Sequence, residues 1–172
     1  MDTSKFTIKS QESINQAKQL AMEFGHQAIE NAHLLKGISN IDENVLPFLL
    51  KKLGINQDIF IQTLDKILAS FPKIQGAELY FSKSATETLN RAHLKLKEWK
   101  DDYISLEHLI QSIAEGSDAV SQLMKDNGIN SKNLKLAIQE LRKGENANSA
   151  SSESKYNSLA KYSRNLNELA RD

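Results

Sequence analysis

The sequence is internally duplicated. ENAHLLKGI at 30–38 returns as SLEHLIQSI at 105–113, with a histidine before two bulky aliphatic residues and an isoleucine at the end of each copy. The copies are first 75 positions apart. One residue is then lost, and GINQDIFIQTLDKIL at 54–68 matches GINSKNLKLAIQELR at 128–142 at a separation of 74. An internal repeat of this length constrains the fold more than any short motif, so we expect two similar halves.

Each half is predicted to contain four helices. Apolar residues recur at spacings of three and four, and the chain has only 7 glycines and 2 prolines, a pattern typical of helices rather than strands. Thr7 and Ser82 stand at matching positions, where a hydroxyl can cap the first helix of each copy. The predicted fold class is all-α, with two pseudo-symmetric four-helix repeats, at about 6–70 and 81–143, packed as one globular domain over 1–143.

The end of the chain changes in character. GENANSASSESK at 144–155 is small and polar, without bulky apolar residues, which is typical of a flexible linker. A helical pattern then resumes over 156–172. We expect this last stretch to be the truncated start of a further module of a longer protein.

Composition narrows the class of partner. Lys+Arg and Asp+Glu both number 22, so the formal net charge is zero, and this argues against nucleic acid or an anionic membrane as partner. The absence of cysteine excludes disulfides, thiolate metal sites and a cysteine nucleophile, and it fits a reducing compartment. The first residues do not form a signal peptide, and apolar clusters such as VLPFLL at 45–50 are too short to span a bilayer. We expect a soluble, cytoplasmic protein.

No catalytic motif is recognisable. The sequence lacks a glycine-rich phosphate loop, an H-E-x-x-H pair and a G-x-S-x-G elbow. His33 and His108 occupy the same position in the two copies, which admits either a metal site or the packing of a buried helix start. Since the four histidines show no close metal-ligand spacing, packing is favoured. We predict no catalytic residue, no metal and no cofactor in this chain.

Acidic residues gather before the second histidine. Asp101, Asp102 and Glu107 lie close together around a turn and a predicted helix start. They could bind a cation or a basic peptide, or they could interact with the positive end of the helix dipole. Spacing alone favours the dipole.

One apolar residue lies off the buried stripe of its helix. Leu94 is flanked by Arg91 and Lys95 on the predicted helix at 82–97. An isolated exposed leucine needs no explanation, but Leu94 and Arg91 would matter if they join a groove between the repeats. A shallow, partly apolar groove on a helical body can bind peptides.

Several segments resemble a known family. FTIKSQESINQAKQLA, IENAHLLKGI, LASFPKIQGAELYFS and DDYISLEHLI are similar to the amino-terminal domain of the ClpB family of AAA+ disaggregases, whose repeat is shared with the ClpA and ClpC unfoldases. The ending LAKYSRNLNELARD resembles the segment that enters the first ATPase module. The resemblance covers essentially the whole chain.

The resemblance implies a mobile, substrate-recruiting domain on a hexameric ring that engages unfolded or aggregated polypeptides. ATP and magnesium would then belong to a parent protein that contains a coiled coil and cooperates with an Hsp70-type chaperone system. This chain alone would be a monomer that hydrolyses nothing. Adaptor docking, a spacer role and an enzyme or metal protein built around His33 and His108 stay as alternatives.

The resemblance also suggests site residues. Family positions linked with substrate handling correspond to Thr7, Asp101 and Glu107. The ClpC-type domain carries acidic residues in both copies of an E-H-L motif that recognises phosphorylated arginine, whereas the first copy here reads Ala32, His33, Leu34. A duplicated phosphoarginine receptor is therefore not expected.

Overall fold

The structure, a computed structural model, describes residues 3–76 and 78–156. Most of these residues are helical, and the remainder form two short strands and the connecting turns. The elements in chain order are α1 (Ile8–Phe24), β1 (Ala28–Ile29), α2 (Asn31–Ile41), α3 (Val45–Lys52), α4 (Gln57–Ala69), β2 (Tyr80–Phe81), α5 (Lys83–Trp99), α6 (Leu106–Ala114), α7 (Ala119–Asp126) and α8 (Ser131–Arg142). A last helical turn covers 152–156.

Matching residues begin and end the first helix of each repeat. The Thr7 hydroxyl accepts a hydrogen bond from the N–H of Ser10, and Ser82 does the same for Ala85, so both predicted caps are confirmed. The helices end at Gly25 and Lys100, whose φ angles are 73° and 56°. Because the left-handed region favours glycine, Lys100 holds this turn at a cost that Gly25 avoids.

The two repeats exchange short extended segments. β2 pairs in parallel with β1, with Ile29 opposite Phe81, and a single parallel bridge joins Phe6 to Ile104. Phe6 matches Phe81 and Ile29 matches Ile104 in the duplication. In both contacts, therefore, the phenylalanine of one repeat pairs with the isoleucine of the other. The prediction of a helical fold is confirmed, but this strand exchange was missed. Two-residue strands are too short to produce an alternating pattern.

The core lies around α2 and α6, the second helix of each repeat. From Leu106 to Ile113 every residue of α6 is buried, because α5, α7, α8 and α3 surround it. Gly37 of α2 crosses α1 so closely that a Cβ added there would lie 2.5 Å from the carbonyl oxygen of Ser13. A helix buried on all sides explains why this segment kept its pattern in both copies.

The segment that follows α8 differs from the expected linker. We call residues 144–156 the strap, because they lie against the second repeat, with Ala147 and Tyr156 both fully buried. Lys143 and Gly144, with φ angles of 48° and 90°, turn the chain back from the end of α8. Small residues suggested flexibility, but here they allow close approach of the main chain. The predicted module start at 156–172 lies, apart from Tyr156, outside the described residues.

Candidate binding site

Two buried carboxylates share one guanidinium in the second repeat. Arg142 Nη2 lies 2.9 Å from Asp101 Oδ2, and Arg142 Nε donates to Glu107 Oε2 at 2.8 Å. All three side chains are almost inaccessible to solvent. They come from the turn after α5, the first turn of α6 and the last turn of α8. The ionic cluster is thus assembled by packing of three separate segments.

His108 orients the cluster. Its Nδ1 accepts a hydrogen bond from the N–H of Ser105 at 2.8 Å, so the ring proton lies on Nε2 and is donated to Asp101 Oδ2 at 2.6 Å. Burial alone would raise the pKa of Asp101, but hydrogen bonds from His108 and Arg142 hold that pKa below its ordinary value. Asp101 is therefore a stable anion at neutral pH.

Arg142 is enclosed by aromatic rings as well as carboxylates. Its guanidinium carbon lies 4.9 Å from the ring centroid of Trp99 and 5.5 Å from that of Tyr156. Burial disfavours the cation, but the charge of Glu107 and the hydrogen bond to Asp101 raise the pKa of Arg142 above its usual value. The cation is permanent, and Tyr156 brings the end of the strap onto it.

The strap contacts the turn after α5 through main-chain groups. The N–H of Ala147 donates to Asp101 Oδ1 at 2.9 Å. The carbonyl oxygen of Ala147 accepts from the N–H groups of Asp102 and Tyr103 at 3.0 and 2.9 Å. Further along, the N–H of Ile8 donates to the carbonyl oxygen of Ala150 at 2.8 Å. These contacts connect the start of repeat one to the middle of repeat two.

Glu153 completes the contact with Thr7. Its Oε2 accepts from the Thr7 hydroxyl at 2.6 Å and from the N–H of Leu106, at the start of α6, at 3.0 Å. Burial, followed by the charge of Glu107, raises the pKa of Glu153 to about 7. Thr7, Asp101 and Glu107 therefore line one site, and the strap covers it.

Three polar atoms of this site lack partners among residues 3–76 and 78–156. They are Glu107 Oε1, Glu153 Oε1 and Tyr156 Oη. Buried polar atoms without hydrogen bonds destabilise a fold and are uncommon in native interiors. The strap therefore covers the site but leaves these three polar atoms without hydrogen bonds from the described residues.

The sequence did not reveal Arg142, Glu153 or Tyr156 as members of this site. For Arg142 a signal existed, because it occupies the position that matches buried Leu68 in the first repeat. A charged residue on an apolar stripe predicts a buried partner. Glu153 was assigned to the polar linker and Tyr156 to the start of the next helical module, and no local pattern identifies either as a member of the site.

Arg91 and Leu94 lie on a different part of α5. Arg91 donates to the carbonyl oxygen of Ser112 and to the Thr88 hydroxyl, so it joins α5 to α6. Leu94 is 73% exposed. Nearby, Lys95 forms ion pairs with Glu98 and Glu115. The surface predicted to form a partly apolar groove carries ion pairs beside Leu94. A binding role for Arg91 and Leu94 stays a prediction.

Two open clefts lie elsewhere on the surface. One of about 660 Å³ lies between the end of α3 and α8 and includes Leu53 and Leu136. Another of about 700 Å³ includes Lys95 and Leu134. Thr7, Asp101 and Glu107 line neither cleft. A smaller cleft of about 200 Å³ lies at the edge of the candidate site and includes Trp99, Arg142 and Gly144.

The matching histidine of the first repeat lies in different surroundings. His33 Nδ1 accepts from the N–H of Glu30, and its Nε2 proton is donated to His26 Nδ1 at 2.9 Å. Burial, followed by the charge of His26, lowers the pKa of His33 to about 4. In the part of the chain that the structure describes, no group of three or more potential ligands could hold a metal ion. The His33 and His108 rings are each held by packing and hydrogen bonds at the start of a buried helix.

Two pseudo-twofold helical repeats with a charged site at the start of the second central helix define a duplicated-repeat domain. The family described as the Clp repeat (R) N-terminal domain matches residues 5–127. This chain belongs to that family, and the resemblance noted in its sequence is confirmed.

Relatives with known names match along the whole chain. It is 44% identical over 171 residues to a chaperone protein ClpB of Bacteroides thetaiotaomicron. The matched region covers 99% of this chain and 20% of that relative. A chaperone protein ClpB of Porphyromonas gingivalis is 40% identical over 172 residues, again covering 20% of that relative. The chain thus spans about a fifth of the length of these curated relatives.

Solved structures share the fold. The Hsp104 N-terminal domain from Candida albicans matches with a TM-score of 0.77 at 21% identity, over 87% of this chain and 99% of that one. The N-terminal domain of ClpD from Arabidopsis thaliana matches with a TM-score of 0.63 at 23% identity, over 84% and 98%. Across residues 3–76 and 78–156, no helix has the length and apolar character needed to cross a membrane.

Proposed function

We propose that this chain is the substrate-recruiting N-terminal domain of a ClpB-type disaggregase. It binds unfolded or aggregated polypeptides weakly and passes them to a hexameric ring. The observation that carries the proposal is the meeting of Thr7, Asp101 and Glu107 at one site, where a piece of polypeptide, the strap, is already bound. Thr7 and Asp101 hydrogen-bond this irregular segment directly, so they are equipped to bind another.

The chemistry of the site suits varied clients. At Ala147 both main-chain groups form hydrogen bonds, and the side chain is only a methyl group. Recognition through the main chain gives affinity without requiring a particular sequence. Folded proteins do not offer such groups, because theirs are already paired. Weak single sites are sufficient when six copies on one ring raise the avidity.

The other functions of the parent protein form part of the proposal. ATP and magnesium would be bound by modules beyond this chain, and the chain itself would be a non-catalytic monomer. The parent would be a cytoplasmic stress-response chaperone with a coiled coil, and it would work with an Hsp70-type system. The supporting observation is the identity of 40–44% to ClpB chaperones along this fifth of their length.

An NMR titration tests the proposal. The titrant is reduced, carboxymethylated α-lactalbumin, which cannot fold, and the control titrant is the same protein in its native form. We expect the amide signals of Thr7, Asp101 and Glu107 to shift with the unfolded titrant only. Equal shifts with both titrants, or none with either, would refute substrate recruitment.

A second candidate is docking of a folded adaptor protein, as in ClpA- or ClpC-type unfoldases. The outer face of α5 favours it, because Leu94 is exposed beside the ion pairs of Lys95. Such a mixed surface fits a folded partner better than a generic unfolded chain. A Leu94→Ala variant that binds unfolded α-lactalbumin normally but no longer retains a folded partner would support this candidate.

A further inference from the structure

We propose that the strap is an internal competitor of the client polypeptide. Residues 144–156 occupy the site, and a client segment binds in their place after the strap has detached. The inference rests on the function proposed above and adds a regulatory element and a description of the ligand.

The strap can be replaced because much of its hold is sequence-independent. Ala147 uses its N–H and its carbonyl oxygen to contact Asp101, Asp102 and Tyr103. Ala150 uses its carbonyl oxygen to contact Ile8. Any irregular polypeptide with a small side chain can supply these same groups, so the strap and a client would compete for the same donors and acceptors.

The strap is also poorly matched to the site. Its carboxylate, Glu153, is buried beside the carboxylate of Glu107, and each has one oxygen without a partner among the described residues. Tyr156 adds a buried hydroxyl in the same condition. The apolar groups that anchor the strap are the side chain of Ala147 and the ring of Tyr156. Burial of unpaired polar groups weakens attachment, and weak attachment suits a segment that has to be displaced.

The connection of the strap to the domain allows release. In the corresponding connector of the first repeat, which follows α4, Ile74 also lies against the turn after the first helix, because its N–H donates to the carbonyl oxygen of Gly25. That connector is held between α4 and β2 and cannot leave. The strap follows a helix that ends in two left-handed residues, Lys143 and Gly144, where rotation of a few dihedral angles redirects the chain.

The strap indicates what a bound client should look like. Ala147 is fully buried, so the client needs a small residue there. The Thr7 hydroxyl and the N–H of Leu106 need an acceptor. Because Glu107 is close by, a neutral acceptor such as an amide or hydroxyl fits better than the carboxylate of Glu153. We therefore expect clients rich in Ala, Ser, Gly, Asn and Gln to be preferred over acidic ones.

A reversible lock tests the inference. The chain has no cysteine, and the main chains of Ile8 and Ala150 are hydrogen-bonded, so Ile8→Cys with Ala150→Cys places two thiols on adjacent segments. Binding of reduced, carboxymethylated α-lactalbumin is measured with the same protein oxidised and reduced. We expect at least tenfold weaker binding in the oxidised form, because an apparent affinity falls with the open fraction.

A pair of substitutions tests the opposite direction and decides the question if the disulfide does not form. Ala147→Glu places a charge where no solvent reaches, which should detach the strap and strengthen client binding at least threefold. Ser151→Glu adds the same charge at an exposed strap position and should leave binding unchanged.

The outcomes separate the two proposals. Equal affinity in the oxidised and reduced forms, or equal affinity in Ala147→Glu and the unmodified chain, overturns the competitor role while client binding stands. No binding by any form overturns the proposed function itself, and the competitor role with it.

Discussion

The two repeats share a backbone plan but place different chemistry around the same histidine. His33 and His108 each accept a main-chain N–H at Nδ1 and turn Nε2 toward the residue that follows the first helix of the repeat. Three neighbouring positions are uncharged or apolar in repeat one and charged in repeat two. These pairs are His26/Asp101, Ala32/Glu107 and Leu68/Arg142.

The difference separates a sealed core from the candidate binding site. In repeat one the ring of His26 packs against Phe24 and Phe71, at centroid distances of 5.6 Å for both. In repeat two the cluster is covered by the strap. A buried charge is tolerated only with a partner, so the three charged residues had to be present together.

The variant Arg142→Leu tests this difference most severely, because it places in repeat two the leucine that repeat one has at the matching position, Leu68. Asp101 and Glu107 would then be buried anions without a cation, and we expect a loss of about 3–5 kcal/mol in the free energy of unfolding. Urea denaturation measures it. Glu140→Gln, which breaks the exposed pair with Lys52, should cost less than about 1 kcal/mol.

The triple variant Asp101→His, Glu107→Ala, Arg142→Leu should recover most of that loss, because it rebuilds the uncharged chemistry of repeat one. If the triple variant is as unstable as Arg142→Leu alone, the three charges do not form one unit.

Acid should weaken the first repeat through its histidines. Burial holds the pKa of His33 at about 4 and that of His26 below its ordinary value, whereas an unfolded histidine titrates near 6.5. The contribution is complete above pH 6.5 and is lost as the pH falls toward 4, by roughly 2–3 kcal/mol. NMR titration of the imidazole protons together with urea denaturation at several pH values measures both. A His33 pKa near 6.5 would contradict the sealed environment.

Gly37 and Ser112 occupy matching positions in the central helix of each repeat, and Gly37 lies where α2 crosses α1. A Cβ at this position would lie 2.5 Å from the Ser13 carbonyl oxygen, so Gly37→Ala should destabilise the domain by about 1–3 kcal/mol through overpacking. The matching residue, Ser112, is a buried serine whose hydroxyl has no partner among the described residues. Ser112→Ala should therefore be nearly neutral in urea denaturation. Equal losses at both positions would mean that the two crossings are equally close.

The last prediction concerns the strap and pH. With the strap attached, the pKa of Glu153 is raised to about 7 from an ordinary 4.5. Attachment is therefore strongest below pH 4.5 and weakens as the pH rises through 7. Burial causes most of this shift and the charge of Glu107 adds to it, and the hydroxyl of Tyr156 also lies within the field of Glu153.

The pH at which the Ile8 and Ala147 amide signals report detachment of the strap measures this effect. Glu153→Gln keeps an acceptor for Thr7 but removes the charge, so it should abolish the pH dependence. A dependence that persists unchanged in Glu153→Gln would assign it to another group.

Much of the fold followed from the duplication. The repeat predicted pseudo-symmetry, the helical periodicity predicted the elements, and the hydroxyls of Thr7 and Ser82 predicted two helix starts. These features are local or periodic, so a sequence displays them directly. The strand exchange was missed because it joins residues far apart and involves only two residue pairs in one contact and one in the other.

The candidate site was only partly predictable. Resemblance indicated Thr7, Asp101 and Glu107, but Arg142, Ala147 and Glu153, which contact them, come from 35 to 146 positions away along the chain. Composition predicted a linker here because it reports side chains, whereas Ala147 and Ala150 are held by main-chain groups. No composition rule distinguishes a small residue that is free from one that fits closely.

The exchanged segments bear on how such a domain can be divided. An isolated first half would present Ile29 without the strand of Phe81, and Phe6 without Ile104. Two copies of that half could satisfy each other by reciprocal pairing, as in a domain-swapped homodimer. Joining the halves in one chain makes that association intramolecular, and its strength then no longer depends on concentration. The ten-residue connector between α4 and β2, at 70–79, is in this sense a covalent substitute for a dimer interface.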